Sequence, residues 1–114
     1  MTDVTGIWNF NGNGSTGVMR IDSVDAQGNL RVSVTFDGLD RVDAWSGVWD
    51  DQAKRITLIR RLPNNVTQDH EGFLGDNDPN NLIFGGSFTE SDIPSDAPRT
   101  NFGWFAIFQS VIIP

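Results

Sequence analysis

The chain of 114 residues, 12.6 kDa, has room for one domain and one hydrophobic core. Its 38% hydrophobic and 20% charged residues fit a soluble globular chain better than a disordered or membrane-spanning one, and a formal net charge of -7 disfavours nucleic acid as a partner. Without Cys there are no disulfides, thiolate metal sites or Cys nucleophiles, and with no apolar leader-like run at the start the expected location is the cytoplasm.

Period-two alternation runs through the chain, interrupted by clusters of Gly, Asn and Asp. In the first strand, 4 to 10, Val4, Gly6, Trp8 and Phe10 share one face, and Gly12-Asn13-Gly14 turns the chain into a second strand, 15 to 24. Ala26-Gln27-Gly28 leads to a third strand, 29 to 36. There Leu30, Val32, Val34 and Phe36 alternate with Arg31, Ser33, Thr35 and Asp37, which is the pattern of a strand with one wet face. Asp37-Gly38, Asp50-Asp51 and Pro63-Asn64-Asn65 mark the turns around a fourth strand, 41 to 49, a fifth, 54 to 61, and a sixth, 66 to 74. Two longer loops, 75 to 80 and 90 to 100, flank a seventh strand, 81 to 89; the last strand spans 101 to 112.

No helical period of 3.6 is sustained, so the fold class is all-β. Eight antiparallel strands joined by short turns predict a single domain, 1 to 114, built as an up-and-down barrel without exposed edges. A two-sheet sandwich, the alternative, needs longer crossovers. Successive turns of a meander alternate between barrel ends, which puts the loops 75 to 80 and 90 to 100 at opposite ends.

The last strand has apolar residues on both faces: Phe102, Trp104, Ala106, Phe108 and Ile112 on one, Phe105, Ile107, Val111 and Ile113 on the other. Such a strand needs both faces covered. The 90 to 100 loop is mostly polar, so the expected cover is a second copy of the chain, giving a homo-oligomer through the last strand.

His70, between Asp69 and Glu71, is expected to face solvent, because strand neighbours point to opposite faces and cannot converge on one atom. Residues 76 to 80 have the oxygen side chains that begin a calcium loop, but Asn81 and Ser87 stand where glycine and an acid are required, so no metal site is expected. Arg60 and Arg61 differ in parity; one points inward or to the rim, where an anionic ligand or a buried acid such as Asp43 is a suitable partner. No nucleophile with a base, carboxylate pair or phosphate-cradling loop stands out, so neither catalysis nor a cofactor is expected.

The run Val4-Thr5-Gly6-Ile7-Trp8-Asn9, then Gly14-Ser15-Thr16 and Asp25-Ala26-Gln27-Gly28-Asn29-Leu30, resembles the opening of avidin and streptavidin, biotin-binding members of the calycin superfamily. The resemblance covers about the first 36 residues. It implies an eight-stranded barrel with a ligand at its open end and assembly into dimers or tetramers. In that family a polar residue two after the first tryptophan, a serine and a strand-three tyrosine bind the ureido oxygen of biotin. Ser15 matches the serine, whereas Phe10 occupies the polar position; Asn11 replaces it only if a bulge resets the alternation. Val34 and Phe36 stand on strand three, and with four Trp and eight Phe the chain has no Tyr.

These departures, with Trp8, Phe10, Leu30, Val32, Val34, Phe36, Phe84 and Trp104 as inward candidates, point to a non-enzymatic protein holding a small, largely apolar ligand. The candidate ligand-binding residues are Phe10, Asn11, Ser15, Val34, Phe36 and Trp104. A barrel filled by its own side chains, acting on a protein partner through loops or the last strand, is the alternative.

Overall fold

A computed structural model describes residues 2–113. Alternation of buried and exposed side chains carries eight strands: β1 (Gly6–Gly12), β2 (Ser15–Val24), β3 (Asn29–Phe36), β4 (Asp43–Asp50), β5 (Arg55–Arg61), β6 (Thr67–Gly75), β7 (Ile83–Glu90) and β8 (Phe102–Ser110). Each pairs antiparallel with the next, and β1 pairs with β8, closing the barrel. The expected order and fold class hold. Bounds for β2 and β3 coincide with expectation; β1 begins and ends two residues later, and β8 stops at Ser110 instead of running to 112.

Gly6 shows why β1 opens with glycine. Its φ is +142°, and a Cβ there would lie 2.6 Å from the Phe108 ring and 2.8 Å from the Ser110 carbonyl, so a side chain would force β8 away. Two residues on, Trp8 is fully buried and donates from Nε1 to the Val4 carbonyl at 3.1 Å. Phe84 lies 4.7 Å from Trp8 between ring centroids, Phe108 meets it edge-on at 5.2 Å, and Trp49 meets Phe84 edge-on at 5.7 Å. Burial of Phe84 alone contributes about 1.5–3 kcal/mol. This half of the barrel is thus filled by its own aromatic side chains. Its end is tied shut by Asp51, whose Oδ1 accepts from the Thr2 backbone N–H (2.8 Å) and from Lys54 Nζ (3.2 Å).

All eight inward candidates point into the barrel; Val4, Met19, Ile21, Trp45, Trp49, Ile56, Leu58, Leu74, Phe88 and Ala106 complete the buried apolar set among the described residues. His70 corrects the sequence reading. It is 3% exposed and faces inward, because β6 takes its parity from Leu74 and Gly72; turning His70 outward would bury Asp69 and Glu71, a larger desolvation cost than burying one neutral imidazole. Arg60 and Arg61 divide as expected: Arg60 turns inward and pairs with Asp43 (3.2 Å), while Arg61 donates to Ser46 Oγ on the outside (2.9 Å). In the 76–82 turn Asp78 accepts from the Asn80 backbone N–H (2.9 Å) and Asn81 Nδ2 (2.6 Å), so its carboxylate serves the turn.

The outer face of β8 is not covered within the chain: Phe105 and Ile107 are 41% and 45% exposed. In register beside them lie Gly85 and Ile83 of β7, and beyond Gly85, Phe73 of β6.

Candidate ligand-binding site

Successive turns alternate ends, so those after β1, β3, β5 and β7 share one mouth, opposite the end filled around Trp8. The 90–100 loop therefore joins this mouth and the 75–80 loop the closed end, as the meander requires. A cavity of about 520 Å³ opens here. Its aromatic lining is Phe10, Phe36, Trp45, His70, Phe88 and Phe102; Asn13, Ser15, Thr16, Asp37, Gln68 and Glu90 contribute the polar rim, Leu39 an apolar rim group and Arg60 the wall's cation.

The aromatic wall is mutually braced. Trp45 meets Phe10 edge-on, with centroids 5.5 Å apart; His70 stacks on Phe88 at 4.6 Å and tilts against Trp45 at 4.8 Å. Such contacts add about 0.5–1.5 kcal/mol per pair beyond burial. They also fix ring orientations, leaving flat apolar surfaces in place before any ligand arrives.

A chain of polar groups crosses the wall toward the rim. The Arg60 guanidinium lies 4.6 Å over the Phe36 ring, its Nη2 donates to Asp43 Oδ2 (3.2 Å) and its Nη1 to Gln68 Oε1 (3.3 Å); Gln68 Nε2 in turn donates to Glu90 Oε1 (2.6 Å). Burial lowers the His70 pKa from 6.5 to about 4, with the Arg60 charge acting in the same direction and the Gln68 backbone opposing it. His70 is therefore neutral at pH 7. Among the described residues, the buried Trp45 Nε1 and Arg60 Nε of this wall have no hydrogen-bond partner. Each such group costs about 1–3 kcal/mol when left dry and unpaired, which the packing of the surrounding wall has to offset.

Of the six residues singled out from sequence, Phe10, Ser15 and Phe36 line the cavity. Asn11, Val34 and Trp104 do not. No bulge resets β1 before Asn11, since the irregularity in the β1–β8 pairing is the extra Gln109 on β8; Asn11 stays outside and accepts from the Gly14 backbone N–H at 2.8 Å. Val34 is fully buried below the cavity. Trp104 lies over Gly72, where a Cβ would meet its ring at 2.6 Å, and donates from Nε1 to the Glu71 carbonyl at 3.1 Å, so it serves the packed layer under the cup. The sequence reading missed Trp45, His70 and Phe88. The available signal was parity: Trp45 and Trp49 on β4, and Leu74 with His70 on β6, each share a face.

No family model and no curated protein matches this chain. Solved structures do. Apo shwanavidin is 13% identical with a TM-score of 0.68, the match covering 95% of this chain and 98% of that one. A low-affinity variant of shwanavidin is 16% identical with a TM-score of 0.67, covering 96% and 98%. The biotin complex of a shwanavidin variant is 15% identical with a TM-score of 0.64, covering 94% and 99%. The chain therefore has the avidin-like eight-stranded barrel fold, over nearly its whole length.

Proposed function

We propose that this avidin-like barrel is a non-enzymatic binding protein that holds a small, largely apolar ligand at its open end. The observation that carries the reading is the division of the barrel: one half is packed solid around Trp8 and Phe84, while the other opens into a cavity of about 520 Å³ walled by aromatic rings. That volume suits a drug-sized molecule. Similarity in fold to a shwanavidin variant described in complex with biotin supports a small molecule as the class of ligand. Biotin itself is a poor candidate here, because Phe10 fills the place of a polar ureido-binding group and Ser15 stays on the exposed rim. Binding is by sequestration: rings supply contact area and the Arg60–Gln68–Glu90 chain supplies orientation.

Native mass spectrometry of freshly purified protein tests this reading, with a co-purifying mass of a few hundred daltons expected. A bare chain that also gives no calorimetric or spectral response to aromatic compounds would contradict it. Retention on a biotin column would contradict the narrower statement about biotin.

The exposed row formed by Phe73, Gly85 and Phe105, with Ile83 and Ile107 beside it, supports a second element of the proposal. The glycine keeps this part of the outer sheet flat, so an identical apolar surface can pack on it without large side chains in the way. We infer a homo-oligomer formed through the outer face of β8 and its neighbours.

A further inference from the structure

Most of the eight basic side chains are matched by a carboxylate. Among the described residues Arg20 pairs with Asp22, Arg41 and Arg60 with Asp43, Lys54 with Asp51 and Arg55 with Glu71. Arg31, Arg61 and Arg99 have no such partner there. Arg99 lies at the mouth, 4.5 Å over the Phe102 ring, and donates to Asn13 Oδ1 at 3.1 Å. Arg31 and Arg61 instead share one place on the outside of the barrel. Arg31 of β3 stands in register with Ser46 of β4, and Arg61 of β5 reaches across to the same residue, its Nη1 donating to Ser46 Oγ at 2.9 Å. Neighbouring strands lie about 4.8 Å apart, so the two arginines flank β4 from rows about 10 Å apart. Small side chains make the floor beside them: Ser46, Ala44 and, in register with Ala44, Ser33. No carboxylate pairs with either arginine; Asp22 is held by Arg20 at 2.7 Å, and Asp69, in register with Ile59 on the other side of β5, forms no ion pair. Two cations kept together without a counter-ion, on a protein of net charge -7, depart from the way most of its other cations are placed.

We propose that Arg31, Ser46 and Arg61 form an oxyanion site on the outer face of β3, β4 and β5, separate from the cup, and that it takes a doubly charged tetrahedral group of the phosphate type. The donors fit that class. Arg61 uses one N–H on Ser46 and keeps the rest of its fork, while Arg31 makes no side-chain hydrogen bond among the described residues. The Ser46 hydroxyl accepts from Arg61 and has no acceptor for its own hydrogen, so it is a third donor. With a cation on each side of the serine, an anion is met from several directions. A tetrahedral group has oxygens to offer in those directions, whereas a carboxylate presents both of its oxygens along one edge. The floor is open to solvent, so the phosphate of a larger molecule can reach it as well as the free ion.

The test is a 1H–15N NMR titration of the whole chain at pH 7 and constant ionic strength with inorganic phosphate, ethyl phosphate and acetate. Saturable shifts are expected at the Arg31 and Arg61 side-chain Nε–H signals and at the Ser46 amide, with half-saturation by phosphate at about 1–10 mM and acetate weaker by about fivefold or more. Ethyl phosphate binding at least as tightly as phosphate identifies a phosphorylated molecule as the source of the group, and weaker binding identifies the free ion; both support the site. Arg31→Gln and Arg61→Gln, on the exposed face, are each expected to weaken phosphate binding about threefold or more at unchanged Tm. Arg99→Gln, which removes an unpaired arginine elsewhere, is expected to leave it within about twofold. Shifts that grow without saturating, that are as large at Arg20, Arg55 or Arg99, that acetate produces equally, or that Arg31→Gln and Arg61→Gln leave unchanged would overturn the site. The reading of the cup stands or falls separately.

Discussion

His70 lies stacked on Phe88, ring centroids 4.6 Å apart and planes 23° from parallel, in the part of the barrel wall where Phe10, Trp45 and Trp104 also pack on it. An imidazole in that position packs as an aromatic ring as long as it is uncharged. Beside the permanently charged Arg60, the cup wall therefore has one ring that can acquire a charge, and acid stability depends on it.

The sign follows from the two states. In the unfolded chain His70 titrates near 6.5 and in the barrel at about 4, so between these values the unfolded state binds the extra proton. The neutral imidazole's contribution is fully present above pH 6.5, declines as pH falls, and is gone below about 4. Urea unfolding at pH 7, 5 and 4 is expected to show a loss of up to about 3 kcal/mol attributable to this group. His70→Phe, which keeps a ring of similar shape, is expected to flatten that part of the profile. An unchanged pH dependence in the variant would remove His70 as its cause.

Gly72 provides the second prediction. Its Cβ would lie 2.6 Å from Trp104 Cζ2 and 3.0 Å from the Gly85 carbonyl, on a strand pair with no room to separate. Gly72→Val is expected to destabilise the barrel by about 1–3 kcal/mol, read as a lowered Tm, through displacement of the Trp104 ring and strain between β6 and β7.

Trp8 is the third. Replacing it with Ala leaves a cavity among Phe84, Phe108 and Val4 and removes the donor to the Val4 carbonyl. The expected cost is about 3–5 kcal/mol, measured by denaturant unfolding, with the ligand site lost only because the barrel unfolds. Trp8→Phe, retaining most of the ring, is expected to lose less than half as much.

The outer face gives the fourth. Size-exclusion chromatography with light scattering is expected to show a homo-oligomer for the natural chain and a monomer for the Phe105→Ser, Ile107→Ser double variant, with the circular dichroism spectrum unchanged. A natural chain that runs as a monomer at tens of micromolar would contradict the assembly proposal.

Where alternation was anchored by several apolar residues, the sequence was readable. Leu30, Val32, Val34 and Phe36 define the inner face of β3, and Gly6, Trp8 and Phe10 that of β1; Phe10 and Phe36 consequently emerge as cavity walls. β6 was not readable in the same way, because Phe73 and Leu74 are adjacent apolar residues on opposite faces and only one decides the parity of His70. β4 presents Trp45 and Trp49 inward with Gly47 between them, but whether a ring is filling or wall depends on its height in the barrel. Height follows from the register with neighbouring strands. That is also why Val34 and Trp104, correctly placed on the inner face, turned out to lie in the packed layer beneath the cavity.

The central claim, that the open half of the barrel is the ligand site, is tested most directly by 1H–15N NMR spectra recorded while an aromatic compound that binds in calorimetry is added. The account predicts shifts concentrated at Phe10, Phe36, Trp45, His70, Phe88 and Phe102, including the Trp45 indole N–H, with the Trp8 and Trp49 indole signals little moved. Shifts confined to the outer face of β8 or to the closed end would contradict it.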